Sequence, residues 1–304
     1  MTAPLHEDEL TITTRLVREL VDEQFPAYRS LSMNPLSQAG STNVIYRLGE
    51  AHCVRLPRLP GGGRSLEKEA RWIPALQQHL SVRLPGVTGM GRPAAGYPET
   101  WAVCDWLEGQ HPVLPADGKL ARALAAFIVD LRSAPAPAAP ETLYHYRGDR
   151  LAACDDFTRR NIAACRLLDE LDLDLSKAEQ IWDLALQLPV AQNQHRWFHG
   201  DLVAENLLLE SSGELVAVLD WGGVGFGDPA VDLHGAWELF DIESREIFRE
   251  AVSVDQQEWL RGRAWALAIA LMTFPYYWGK MPRRLEQRLM MAKAVISDFE
   301  LNGV

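Results

Sequence analysis

His199-Gly200-Asp201-Leu202-Val203-Ala204-Glu205-Asn206, running into Leu207-Leu208-Leu209, is the stretch on which the reading of this sequence turns. It sets an Asp and an Asn five positions apart, with a Gly before the Asp and an apolar run after the Asn. Short polar side chains on such a loop converge on one small ligand without sharing a helix face. Taken singly, an Asp beside a Gly is a turn residue and an Asn before an apolar run merely starts a strand. The next dozen or so residues of the chain decide between the two.

Asn206–Leu209 and Leu215–Leu219 are two short β-like runs joined through Ser211-Ser212-Gly213, and the second ends in Asp220-Trp221-Gly222. H-G-D-x4-N, a hairpin and D-W-G, in that order, match the kinase catalytic loop and its metal-holding Asp-Phe-Gly. There the first Asp accepts or orients the acceptor hydroxyl's proton, and the Asn and second Asp bind magnesium. Motif and context together make chance a poor explanation.

With these motifs, with VLDWGGVGFGDPAVDL and with the GSTNVIYRLG…CVRLPR hairpin, the sequence resembles the aminoglycoside phosphotransferase family of antibiotic and metabolite kinases. The resemblance runs from about Leu36 to about Leu239, and weakly to the C-terminus. It implies an α+β, bilobal, protein-kinase-like fold with a small N-terminal β-sheet lobe (1–108, nucleotide-binding) and a larger, mainly helical C-terminal lobe (109–304, catalytic and acceptor-binding). It also implies Asp201 as catalytic base, Asn206 and Asp220 as metal ligands, and ATP or GTP with Mg2+ as cofactors. Asp228 and Asp232 are implied as supports of the catalytic loop, and His199 reads as a loop-bracing residue.

Residues 8–25 carry apolar positions at helical spacing, which predicts a first helix ending near Pro26. Val44–Leu48 and His52–Leu56 read as a hairpin across Gly49-Glu50-Ala51, and Ser65–Leu80 as a helix begun by a Ser cap. Gly40, Ser41, Thr42 and Asn43, just before the first of these strands, offer backbone and hydroxyl donors to the phosphates of a nucleotide. Arg55 stands where the family more often has Lys; its planar fork can engage a carboxylate and a phosphate from different edges. Glu69 is its expected partner, with Glu67 second. Cys104, Asp105, Trp106 and Leu107 form the expected hinge, where the backbone reads the base, so the sequence leaves ATP and GTP equally open.

Only eight positions separate Asp220 from Asp228, too few for the segment with which protein kinases present a peptide. A small-molecule hydroxyl acceptor is expected, an aminoglycoside-type or other antibiotic first, with a macrolide or a metabolite such as a sugar or a choline-like compound as alternatives. Glu238, Asp241, Tyr276, Tyr277 and Trp278 are the candidate acceptor residues, since carboxylates and aromatic faces bind cations. A catalytically silent nucleotide-binding module is the competing reading, motivated by Arg55.

A net charge of −11 disfavours nucleic acid as a partner. No apolar run is long enough to span a membrane, and the acidic start MTAPLHEDEL lacks the signature of an export signal, so a cytoplasmic protein is expected. The four cysteines have no C-x-x-C spacing and read as reduced thiols. Nothing in the sequence sets the oligomeric state.

Overall fold

The structure is a computed structural model; residues 5–6, 8–36, 40–190 and 195–303 are described. The chain divides into two compact units. The first comprises Met1–Gln78, Val82–Gly109 and Ala217–Gly222; the second comprises His79–Ser81, Gln110–Val216 and Gly223–Val304.

The first unit begins with α1 (Thr14–Gln24), which starts later than its apolar pattern because the Thr13 hydroxyl accepts the Leu16 amide and sets the cap there. An antiparallel sheet is built from β1 (Met33–Pro35), β2 (Asn43–Leu48) and β3 (His52–Pro57), then β4 (Val87–Gly91) and β5 (Trp101–Asp105), in the order β1-β2-β3-β5-β4. Between β3 and β4 runs α2 (Gly63–Gln77).

Period-two alternation gives this sheet two different faces. Tyr46, Leu48, Val54, Leu56, Trp101 and Val103 pack with Val17, Leu20 and Val21 of α1 into one closed core. Cys53, Ala102 and Cys104 fall on the other side with Leu66 of α2, joined by the half-buried Ile45, Val87 and Trp106. Arg55 alternates in phase with Cys53 and pairs in register with Ile45 and Ala102, so it belongs to this second face.

α2 begins two residues before the expected Ser cap and has no side-chain cap from Gly62. Glu99 supplies the negative charge instead, its carboxylate accepting the amides of Gly61 at 2.8 Å and Gly63 at 3.2 Å. This satisfies orphan donors at the positive end of the helix.

The second unit contains α3 (Gly118–Ser133), α4 (Asp155–Cys165) and α5 (Leu175–Ala185). Then come β6 (Arg196–Phe198), the hairpin β7 (Leu207–Leu209) and β8 (Leu215–Val218), and β9 (Gly225–Gly227) antiparallel to β6. α6 (Gly235–Leu239), α7 (Ile242–Val252), α8 (Gln256–Tyr277) and α9 (Pro282–Asn302) complete it. α8 is buried almost all round from Trp259 to Leu271, the property of a central rather than a surface helix. Trp182, Phe198, Val231 and Trp265 meet in the core it serves. No helix of the described residues is long and apolar enough to cross a membrane.

Candidate active site

The H-G-D-x4-N loop is wired almost entirely by its own unit. β6 delivers the chain to His199, and β9, paired with β6, closes behind it. Gly200 has φ +85°, and a Cβ there would sit 3.0 Å from the Gly223 carbonyl, so the turn needs glycine. Asp232 braces the turn, accepting the His199 amide at 2.8 Å through Oδ2 and the Gly200 amide at 2.7 Å through Oδ1. His199 Nδ1 accepts the Asp201 amide at 3.2 Å, inside a fully buried ring. Asn206 Nδ2 donates back to the Asp201 carbonyl at 2.9 Å and to its Oδ2 at 3.2 Å.

Two arginines that no sequence motif marks complete the arrangement. Arg147 Nη1 donates to Asp201 Oδ1 at 2.7 Å and to the Gly200 carbonyl at 2.6 Å. Arg288 pairs with Glu238, whose other oxygen accepts the Ala204 amide at 3.0 Å. Burial alone would raise the Asp201 carboxyl, but Arg147, with Arg288 adding, holds it well below the usual carboxylate range. His234 Nδ1 donates to the Val231 carbonyl at 2.6 Å, and burial pushes this ring down to about 4, so it stays neutral. Only their contacts identify Arg147 and Arg288 as part of the site.

Asp228 does different work from Asp232. It caps the 3-10 turn at Ala230 and forks with Arg261 of α8 at 2.8 Å, tying the segment after the D-W-G motif to the central helix.

In the first unit, Arg55 and Glu69 form a bidentate, buried pair, with Nη2 to Oε1 at 3.0 Å. Glu67 takes the Thr100 hydroxyl instead. Asp220 belongs to this unit and lies 3.7 Å from Arg55 Nη2, with a side chain 41% exposed. Its φ of +58° is unusual for a residue other than glycine, a strain of roughly 1–2 kcal/mol that aims its carboxylate. Burial opposes the charge of Arg55, but Glu69, followed by Cys104 and Asp220, raises it well above the ordinary arginine range.

Gly40, Ser41, Thr42 and Asn43 precede and enter β2, where Arg58 holds the carbonyls of Gly40 at 3.3 Å and Thr42 at 2.9 Å. Cys104 and Asp105 end β5, Trp106 donates its amide to the Ala51 carbonyl at 2.8 Å, and Arg47 lies 4.1 Å over the Trp106 ring.

The acceptor candidates are separated by the structure. Glu238 has one oxygen on the Ala204 amide of the loop and the other on Arg288, with a side chain 1% exposed, so it presents no face to an acceptor. Asp241 caps α7 through the Ser244 amide at 2.8 Å. Tyr276, Tyr277 and Trp278 lie at the exposed end of α8. Tyr277 stacks under Arg284 at 5.5 Å, and Arg284 in turn pairs with Glu205 of the loop.

Both expected metal ligands fit a hard dication. Asn206 uses its amide nitrogen inward, which turns its oxygen away from Asp201, and Asp220 has a half-exposed carboxylate. No group of three His, Cys, Asp or Glu gathers among the described residues in the manner of a transition-metal site.

Fold and motifs together define a protein-kinase-like enzyme. The profile of the APH phosphotransferase enzyme family matches residues 34–266, and the chain belongs to that family. Comparison with curated proteins gives no match. Among solved structures, the GDP complex of wild-type aminoglycoside 2'-phosphotransferase-IIIa is similar at 17% identity and a TM-score of 0.70, covering 96% of this chain and 100% of that one. The GDP and kanamycin complex of APH(2")-IIia gives 18% identity and 0.65 over 95% and 99%. The macrolide 2'-phosphotransferase MphH from Brachybacterium faecium gives 19% and 0.61 over 92% and 97%. At these identities the likeness establishes the fold.

Proposed function

We propose that the protein transfers the terminal phosphate of ATP or GTP to a hydroxyl group of a small molecule. The observation that carries this reading is the catalytic loop: a carboxylate on a glycine turn that Asp232 braces, clamped by Asn206 and Arg147 and held ionised in a partly buried setting. Phosphoryl transfer asks mainly for positioning and electrostatic stabilisation, and a loop fixed from several sides supplies the first.

In this reading Asp201 orients the acceptor hydroxyl and takes its proton. Gly40, Ser41, Thr42 and Asn43 cover the nucleotide phosphates, Arg55 contacts them while Glu69 fixes its fork, and the backbone of Cys104, Asp105, Trp106 and Leu107 meets the base. Asn206 and Asp220 would hold magnesium, which neutralises charge on the phosphates when bound. Tyr276, Tyr277 and Trp278, with Asp241, are the residues proposed for the acceptor.

Aminoglycosides and macrolides are the first compounds to test, because similar structures include a kanamycin complex and a macrolide 2'-phosphotransferase. An antibiotic acceptor would make resistance the biological role. A catalytically silent module is disfavoured, since Arg55 keeps both its carboxylate partner and its proximity to Asp220. The deciding experiment incubates the protein with magnesium and ATP or GTP against aminoglycosides, macrolides, sugars and choline, reading phosphate addition by mass spectrometry. Transfer to any hydroxyl supports the proposal. Nucleotide binding with neither transfer nor nucleotide hydrolysis refutes it.

A further inference from the structure

Arg147 is placed with more care than a structural arginine needs. It sits on a 3-10 turn, Tyr146–Gly148, and Gly148 is pressed so closely on Phe198 that a Cβ there would come within 2.1 Å of the ring. The Gly148 carbonyl takes the Asp228 amide at 2.8 Å, and a Cβ on Gly227 would strike it at 2.3 Å. Arg147 Nε donates to the Tyr146 hydroxyl at 3.0 Å. The guanidinium is therefore fixed at its base, along one edge and at Nη1.

Its remaining nitrogen is different. Among the described residues Nη2 has no hydrogen-bond partner, and it is not one of the buried unsatisfied atoms, so it keeps contact with solvent beside Asp201. A partly buried ion pair of this kind contributes little to stability alone, because screening and desolvation offset most of the attraction. A donor held at a fixed point beside a reacting carboxylate is a device for recognition.

The neighbouring charges lead the same way. Asp201 is neutralised by Arg147, Glu205 by Arg284 and Glu238 by Arg288, while Asp232 is occupied by backbone amides. None of these carboxylates is left over to receive an ammonium group, and the open donor beside Asp201, Arg147 Nη2, is itself part of a cation.

We propose that Arg147 determines acceptor specificity: Nη1 holds Asp201, and Nη2 donates to an oxygen of the acceptor adjacent to the reacting hydroxyl, so that a protonated amine at that adjacent position is rejected. The inference rests on the phosphotransferase reading above and narrows its substrate class to hydroxyls flanked by neutral or anionic oxygen. A cation placed next to Arg147 meets like-charge repulsion in a partly desolvated setting, which disfavours it by at least about tenfold.

The test uses matched probes: methyl glucoside, methyl 2-aminoglucoside and its N-acetyl derivative, with kanamycin and per-N-acetylated kanamycin as a second pair. Single-turnover transfer from magnesium–ATP and magnesium–GTP is measured for the wild type, Arg147→Met and Arg147→Lys, and the phosphorylated position is mapped by NMR. The wild type is expected to favour the uncharged member of each pair by about tenfold or more. Arg147→Met should bring that ratio close to one, whereas Arg147→Lys, which keeps the charge, should preserve it while slowing transfer. Circular dichroism and a cooperative urea melt establish that each variant is folded, and calorimetry measures its binding of magnesium–nucleotide separately.

A ratio unchanged by Arg147→Met overturns the inference and leaves the phosphotransferase reading intact. So does a folded Arg147→Met that loses nucleotide affinity, since the free donor would then serve the nucleotide. A folded wild type that neither transfers phosphate to any probe nor turns over nucleotide removes both.

Discussion

Glu69 lies fully buried beneath Arg55 and takes both terminal nitrogens of its guanidinium, one carboxylate oxygen for each. The pair joins β3 to α2 on the sheet face that carries Cys53, Ala102 and Cys104. Arg55→Met would take from that buried carboxylate its bidentate guanidinium, a loss of about 3–5 kcal/mol in denaturant unfolding, together with most of the turnover. Arg58→Met, which breaks a partly exposed pair with Glu9, should cost far less in both measurements. Equal effects of the two changes would remove Arg55 from its assigned role.

The two central carboxylates should separate in function. Asp201→Asn keeps shape but loses charge and proton affinity, so magnesium–nucleotide binding should persist while transfer falls by two orders of magnitude or more, about the worth of a positioned base. Asp220→Asn should weaken both, because a neutral amide is a poorer ligand for a hard dication. Calorimetric titration beside a single-turnover assay reads the difference, and normal transfer by Asp201→Asn contradicts the assignment.

Loop bracing should be as costly to lose as the reacting group. Asp232→Ala would strand two buried amides, at about 1–3 kcal/mol each. Gly200→Ala forces a side chain into a left-handed backbone against the Gly223 carbonyl, a destabilisation of about 1–2 kcal/mol with a larger loss of turnover. Stability from urea melts and kcat from coupled assays check both; unchanged kcat in Gly200→Ala would show that the turn tolerates movement.

Acid should find His234. Its folded pKa is depressed to about 4 by burial, below the ordinary value of 6.5, so the unfolded chain takes up a proton that the folded one refuses. The stability contributed by the neutral ring is present above about pH 6.5 and is lost as pH falls toward 4, up to about 3 kcal/mol. Replacing His234 with Gln should flatten this part of the stability–pH curve between pH 6.5 and 4, measured by chemical denaturation. An unchanged slope assigns the acid sensitivity elsewhere.

How much of the molecule is legible in its sequence depends on how local each signal is. The catalytic loop, the hairpin and the D-W-G turn are short-range patterns, and the β2–β3 hairpin is readable from alternation and one glycine turn. The family fold comes with them. α2 begins earlier than its sequence suggests because its first-turn amides are satisfied by Glu99, far along the chain, while a Ser at the expected position mimics a cap. Arg147 and Arg288 are invisible in sequence for the same reason: each reaches its carboxylate from a distant segment, and a single arginine carries no periodicity. Glu238 reads as a ligand for a cation because its sequence neighbourhood is acidic and aromatic, whereas its burial against Arg288 is a tertiary fact.

The strip Ala217–Gly222 belongs to the first unit although the rest of that unit ends at Gly109, about a hundred residues earlier. Ala217 bridges to Arg83, the Val218 amide reaches the Arg83 carbonyl at 3.2 Å, and Asp220 arrives beside Arg55 by the same route. On the ribosome, therefore, the sheet can form early, but the unit built on it lacks Asp220 until the strip has left the exit tunnel. A fragment cut at Gly109 would carry Arg55 and Glu69 without Asp220, and a synthetic peptide spanning 215–223 is the natural piece with which to complement it in trans.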